Sequence, residues 1–200
     1  MRKMLPEPAD KESLNLPDDK HILILQGSGI NIHRGSEELV DAMRYLEDCM
    51  LLIIGGGDVL PILKQKVAEN HWEDRVRFFP RMPYKEMMAI TRLAELGFTL
   101  DKPNNLNYLF SLPNKLFDYV QANVPIVASH LPEIERVIKD YNIGTFIEEH
   151  NPEHIAEKIR ETLSDEETLK TWKNNLNFAA QELCWENEEQ ILIKIYEQYI

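Results

Sequence analysis

The chain has 200 residues, a net charge of -12, 44% hydrophobic residues and 28% charged residues, as in an ordinary soluble globular domain. This length allows one complete core but not two domains of usual size. The acidic balance argues against nucleic-acid binding, which needs a basic face, and against tight adsorption to anionic lipid. The two distant cysteines, Cys49 and Cys184, are typical of buried free thiols, which favours a cytoplasmic location.

Residues 1–20 are polar and include three prolines. No apolar run follows the first basic residues, so the segment is not a signal peptide. No apolar run anywhere in the sequence is long enough for a membrane span. We therefore predict a linker at 1–20 and one domain at 21–200.

From residue 21 onward, short apolar runs alternate with amphipathic segments. We predict strands at 22–25, 50–54, 76–79, 96–100, 126–128 and 144–147. We predict helices from Ser36, from Asp58 to about residue 70, at 83–92, from Pro113, at 133–141, from Pro152, at 165–183 and at 186–199. Ser36, Asp58 and Asn151 are the expected helix caps. Six apolar strands separated by helices predict an α/β fold, a doubly wound Rossmann-like parallel sheet with helices on both faces and extra C-terminal helices.

Ligands of such a sheet bind at the carboxyl ends of the strands, where the strand order reverses. For the common order 3-2-1-4-5-6, the loops at 27–35 and 101–115 flank that point. Each loop ends in a cation, Arg34 or Lys115, at the start of a helix, where the helix dipole disfavours positive charge. An anion bound there would explain both cations, so the sequence predicts a phosphate-bearing ligand.

The familiar phosphate and metal motifs do not fit. Gly27 and Gly29 would let a ligand approach the backbone closely, but the third glycine of the dinucleotide fingerprint is lacking and no Walker sequence occurs. The run Gly55-Gly56-Gly57 is more typical of a tight strand-to-helix turn than of a phosphate cradle. His150 and His154 have helical spacing with a proline between them, which disfavours a metal site. We expect no metal cofactor.

Over residues 20–199 the chain resembles the C-terminal, donor-binding half of a group 1 glycosyltransferase of the GT-B fold. The likeness is strongest at 111–129, which begins Ser-Leu-Pro-Asn-Lys-Leu-Phe-Asp-Tyr. The loop containing Gly27 and Arg34 also carries it, as does the strand that ends at Gly55-Gly56-Gly57.

The resemblance implies a retaining transfer from a UDP-, GDP- or other nucleotide-diphosphate sugar, in the manner of polysaccharide biosynthesis. The two halves of such an enzyme clamp the nucleotide sugar. An N-terminal acceptor domain is thus the implied partner, and any membrane contact would come from outside this half.

The resemblance also implies roles for individual residues. Arg34 and Lys115 would hold the diphosphate and Asp118 a ribose or sugar hydroxyl, which makes these three the expected catalytic residues. The implied donor-binding residues are Gly27, Ser28, Gly29, Arg81, Met82, Asn114, Lys115 and Leu116, with the backbone at 81–82 near the base. Two positions depart from the family pattern: Ser28 replaces an arginine, and Phe110 replaces the first of two glutamates.

Two alternatives remain open at this point. The departures at Ser28 and Phe110 are compatible with a non-catalytic domain that binds nucleotide sugars or a protein partner. An epimerase-like half acting on a nucleotide sugar is the other, although this half shows no obvious acid/base cluster. We also expect the final helix to reach the other half of the enzyme and to leave Ile191, Ile195 and Tyr199 partly exposed.

Overall fold

A six-stranded parallel sheet forms the centre of the computed structural model, which describes residues 5–199. The strands are β1 (His21–Gly27), β2 (Cys49–Gly55), β3 (Val76–Phe79), β4 (Leu96–Thr99), β5 (Ile126–Ser129) and β6 (Gly144–Ile147). They lie in the order β3-β2-β1-β4-β5-β6, and all neighbouring pairs are parallel. The prediction of a doubly wound sheet with this strand order is confirmed.

Helices cover both faces of the sheet. They are α1 (Ser36–Ala42), α2 (Leu60–Glu69), α3 (Tyr84–Thr91), α4 (Leu106–Leu109), α5 (Asn114–Ala122), α6 (Pro132–Tyr141), α7 (Pro152–Ser164), α8 (Glu166–Glu182) and α9 (Trp185–Tyr196). Side chains of β1 alternate between two cores, as in any strand buried on both faces. Ile22 and Ile24 join the core under α3, α5, α6 and α8, whereas Leu23 and Leu25 join the core under α1, α2 and α7.

Two of the three predicted helix caps are wrong. Ser36 is the first residue of α1, and the capping position is Gly35, whose φ of 72° suits a glycine. Asp58 lies two residues before α2, and its carboxylate instead accepts the N–H of Ile32 at 3.1 Å. Asn151 caps α7 as predicted through its side chain. The loop predicted after β4 contains the short helix α4, which the sequence analysis did not anticipate.

The segment before β1 lies against the domain. The N–H of Ala9 donates to the carbonyl of Ala89 at 2.8 Å, and Nη1 of Arg77 donates to the carbonyl of Leu14 at 2.7 Å. Leu16 is 6% exposed and belongs to the core beneath α3 and α5. Part of the stretch predicted as a linker therefore contacts the domain, through Ala9, Leu14 and Leu16. Its residues 1–4, and residue 200 at the other end of the predicted domain, lie outside the described residues.

The last helix, α9, exposes most of its large apolar side chains. Ile191, Ile195 and Tyr199 are 53%, 48% and 83% exposed, which confirms the expected exposure. Trp185 at the start of α9 is 65% exposed. No helix in residues 5–199 has the length and apolar character needed to cross a membrane.

Candidate functional site

Strands β1 and β4 are paired at two positions, Leu23 with Leu96 and Ile24 with Gly97, and then separate toward their carboxyl ends. The buried side chain of Tyr119, from α5, fills the gap between them. Its hydroxyl accepts the N–H of Gln26 at 3.3 Å and lies 3.3 Å from the carbonyl oxygen of Ile24 and 3.2 Å from that of Phe98. Gly97 makes room, because a Cβ there would lie 2.7 Å from the tyrosine ring. The tyrosine thus marks the point where the two strands part.

A cleft of about 700 Å³ opens at the carboxyl ends of the strands, where the sequence analysis placed the ligand. Nine of the residues predicted from the sequence line it: Gly27, Ser28, Gly29, Arg34, Arg81, Met82, Asn114, Lys115 and Asp118. Leu116 is the exception, because its side chain is fully buried in the core. Its N–H donates to the carbonyl of Pro113 at 3.0 Å, so this residue offers no free group to a ligand.

The glycine-rich loops after β1 and β2 touch through their backbones. A Cβ at Gly55 would lie 1.8 Å from the carbonyl oxygen of Gly27, and one at Gly57 would lie 1.8 Å from that of Ile30. The N–H of Ile30 also donates to the carbonyl of Gly56 at 2.8 Å. The three glycines from the last residue of β2 onward, Gly55 to Gly57, therefore support the loop that follows β1, which agrees with the turn predicted for them.

Arg34 sits between a carboxylate and an aromatic ring. Its Nε lies 3.5 Å from Oδ1 of Asp101, an ion pair without hydrogen-bond geometry. Its guanidinium carbon lies 4.7 Å from the ring centre of Tyr108, a cation–π contact. Tyr108 comes from α4, whose first turn is held by the side chain of Asn105, which accepts the tyrosine N–H at 2.9 Å.

Lys115 lies in the first turn of α5, a helix that begins after Pro113 without a side-chain cap. Its side chain forms no hydrogen bond or ion pair with any residue in 5–199. Burial lowers the pKa of Lys115, the Asp101 carboxylate acts in the opposite direction, and Arg34 lowers it further. Its ammonium group and the start of α5, which has no side-chain cap, supply the positive charge and N–H donors that an anion requires.

Asp118 is held by two donors. The side-chain amide of Gln26 donates to Oδ2 at 3.0 Å, and the hydroxyl of Tyr84 donates to Oδ1 at 3.0 Å. Thr91 supports the amide by donating to its oxygen at 2.6 Å. Burial raises the pKa of Asp118, and the two hydrogen bonds oppose that shift. Burial also raises the pKa of Tyr84, so its hydroxyl keeps its proton. The carboxylate is therefore oriented and can accept a hydrogen bond from a ligand hydroxyl.

Arg81 brings a cation next to Ser28. Its Nη2 donates to the carbonyl oxygen of Ser28 at 2.6 Å, and its Nε would lie 2.5 Å from a Cβ at Gly56. Position 28 itself carries no cation, so Arg81 supplies the positive charge beside it. Phe110 is 57% exposed and is not among the residues that line the cleft.

Sequence reasoning missed four polar residues at or behind the cleft: Gln26, Tyr84, Asp101 and Tyr108. The sequence does carry a signal for Asp101, because a carboxylate directly follows the apolar strand at 96–100. The other three take their places at the cleft only through contacts between distant segments of the chain. Gln26, for example, is hydrogen-bonded to Asp118, which lies 92 residues further along the sequence.

The fold and the cleft define a Rossmann-like domain with three cationic side chains in a cleft at the carboxyl ends of its strands. The model of the group 1 glycosyl transferases matches residues 6–177. The D-inositol 3-phosphate glycosyltransferase of Xylanimonas cellulosilytica is 22% identical over an alignment of 210 residues, covering 96% of this chain and 48% of that protein.

Solved structures share the fold. Sucrose-phosphate synthase of Thermosynechococcus elongatus superposes with a TM-score of 0.78 at 22% identity, over 97% of this chain and 49% of the other. HepE of Anabaena, solved in complex with UDP and glucose, gives a TM-score of 0.73 at 16% identity, over 93% and 50%.

The chain belongs to the group 1 glycosyltransferase family, and it is a domain of the C-terminal type. It spans slightly less than half the length of the curated relatives it matches.

Proposed function

We propose that the cleft binds a UDP-, GDP- or other nucleotide-diphosphate sugar and that the domain is the donor half of a retaining hexosyltransferase. The observation that carries this proposal is the meeting of Arg34, Arg81 and Lys115 in one cleft of a chain whose net charge is -12. A diphosphate supplies the anion that these cations require. The fold shared with HepE, solved with UDP and glucose, supports the same ligand class.

The proposed chemistry is electrostatic. Transfer of the sugar leaves a nucleoside diphosphate, so negative charge grows on its phosphate oxygens in the transition state. Arg34, Lys115 and the N–H groups at the start of α5 stabilise that charge, and Asp118 accepts a hydrogen bond from a ribose or sugar hydroxyl. Because these groups supply the countercharge, the proposal requires no metal ion.

The acceptor is proposed to bind to an N-terminal domain that lies outside this chain, which accounts for the match to about half of each relative. The exposed apolar face of α9 is the surface expected to meet that domain. The isolated chain is then expected to bind donor without transferring sugar. We also propose a cytoplasmic location, which the free thiols of Cys49 and Cys184 favour.

A thermal-shift assay with UDP, GDP and ADP tests the proposed ligand class. A ligand at 100 times its Kd stabilises the folded state by about 2.7 kcal/mol, which should raise the Tm by roughly 5 to 10 °C. Lys115→Ala should abolish the shift. Lys64→Ala, the same change on α2 outside the cleft, should retain it. Absence of a shift with all three nucleotides would contradict the proposal.

A second candidate function is binding of the nucleotide sugar without turnover. Asp118 is the only carboxylate among the described residues that line the cleft, and the exposed Phe110 occupies the place of the first of the two acids in the family pattern. Fusion to an N-terminal domain of a relative distinguishes the two. Sugar transfer by the fused protein supports the enzyme, whereas nucleotide binding without transfer supports the binding domain.

A further inference from the structure

Asp101 is a buried carboxylate next to the cleft. It lies just after β4, is 1% exposed, and is not among the residues that line the cleft. Neither of its carboxylate oxygens has a hydrogen-bond partner in residues 5–199. Burying a carboxylate in this way costs free energy unless nearby cations offset it.

The first of these cations is Arg34. Its Nε is buried, lacks a hydrogen-bond partner among the described residues, and lies 3.5 Å from Oδ1 of Asp101. The ring of Tyr108 bounds the same guanidinium at 4.7 Å. A guanidinium offers five N–H donors, and this arrangement leaves its remaining donors available to the cleft that Arg34 lines.

The second cation is Lys115. Arg34 and Lys115 repel each other, and burial further disfavours the charged lysine. The carboxylate of Asp101 acts against both effects. It therefore allows two like charges to remain together at one edge of the cleft before any ligand arrives.

We propose that Asp101 is a positioning residue that orients Arg34 toward the diphosphate of the donor, an inference that rests on the donor site proposed above. Asp101 itself is expected to contact neither the donor nor the reacting atoms. It holds the Arg34 guanidinium in advance, so that ligand binding does not have to order it.

The direction in which nucleotide affinity changes when Asp101 is replaced distinguishes this role from that of a bystander, a carboxylate that is merely nearby. A bystander carboxylate close to a diphosphate repels it, so replacement by a neutral residue would tighten nucleotide binding. A positioning carboxylate holds the Arg34 guanidinium in place, so the same replacement weakens binding although it removes a negative charge.

The test measures calorimetric Kd values for UDP, GDP and ADP with the wild-type chain, Asp101→Asn and Asp101→Ala. We expect each variant to bind the best of these nucleotides about tenfold more weakly, equivalent to about 1.4 kcal/mol. Asp101→Ala removes both unpaired oxygens, so it serves as a second variant in case Asp101→Asn, which keeps buried polar atoms, does not fold. Thr99→Val is the matched control, because the Thr99 hydroxyl is also buried and unpaired in the described structure but carries no charge. It should bind as the wild type does.

A double-mutant cycle and an NMR measurement tie the effect to Arg34. In an Arg34→Ala background, Asp101→Asn should change the Kd much less than it does in the wild type, because the cation it positions is gone. In nucleotide-free protein, Asp101→Asn should shift the Nε–H resonance of Arg34, and Thr99→Val should not.

The possible failures are distinguishable. A wild-type chain that binds none of the three nucleotides overturns the donor site itself. Nucleotide binding that becomes tighter or stays unchanged in a folded Asp101 variant overturns only the role of Asp101. An Arg34 resonance that does not respond to Asp101→Asn overturns it as well.

Discussion

Replacing Tyr119 with phenylalanine tests whether its hydroxyl holds β1 and β4 together below the cleft. The hydroxyl has one proton, so it donates to either Ile24 or Phe98 while it accepts the N–H of Gln26. Phenylalanine removes one accepted and one donated hydrogen bond and leaves a buried N–H facing the gap. Each loss costs about 1 kcal/mol or somewhat more, so the free energy of unfolding should fall by about 2 to 3 kcal/mol.

The assay is urea unfolding followed by circular dichroism, with Tm as a second measure. For a domain of this length, the expected loss corresponds to a Tm lower by roughly 4 to 10 °C. Tyr141→Phe is the matched control, because its hydroxyl donates to Glu182 at 2.9 Å near the surface. That variant should stay within about 0.5 kcal/mol of the wild type.

A Tyr119→Phe protein as stable as the Tyr141→Phe control would refute the reasoning, since the strands would then part without help from the hydroxyl. The expected result has a functional corollary. Gln26 supports Asp118 from the same place, so the variant should also bind nucleotide more weakly.

Two further changes probe the cleft. Burial raises the pKa of Asp118 above 3.8, so its contribution to stability is full below that value and is lost as pH rises through the raised pKa. In urea unfolding at several pH values, the wild type should therefore lose stability relative to Asp118→Asn as pH rises above 3.8, and a pH-independent difference would contradict this cause. Gly57→Ala would place a Cβ 1.8 Å from the carbonyl oxygen of Ile30 and should cost about 3 kcal/mol. A Cβ at Gly29 would lie no nearer than 3.6 Å to any atom beyond the adjacent residues, so the free energy of unfolding of Gly29→Ala should stay within about 0.5 kcal/mol of the wild-type value. A larger loss in this control would contradict the explanation.

The sheet could be predicted from the sequence because its information is local. Each strand is a short apolar run that ends at a glycine, proline or polar residue, and such runs separated by amphipathic segments allow few topologies. The proline and lysine at 113 and 115 predicted an anion site, because helix dipoles act within one turn of the chain. The structure places Lys115 and Arg34 in one cleft, at the edge where the strand order reverses.

The supporting contacts could not be predicted because they depend on distances between remote segments. The cap assigned to Ser36 failed because Gly35, with its positive φ, takes the position before the helix. Composition alone suggested a linker at 1–20, because polar residues and prolines conceal the few apolar side chains that make contact. Leu16 is one of these, and its burial depends on a core built from later elements.

The packing of residues 5–16 bears on how domains of this C-terminal type can be exchanged between relatives. The family match begins at residue 6, fifteen residues before β1, and the Ala9 backbone is hydrogen-bonded to the end of α3. If two relatives were joined at β1, residues 5–20 would come from a different parent than the domain they pack on. The side chain in the place of Leu16 would then not be matched to the core space that Leu16 fills. A junction before residue 5 takes residues 5–20 and the domain from the same parent, so chimaeras built that way should retain the native core.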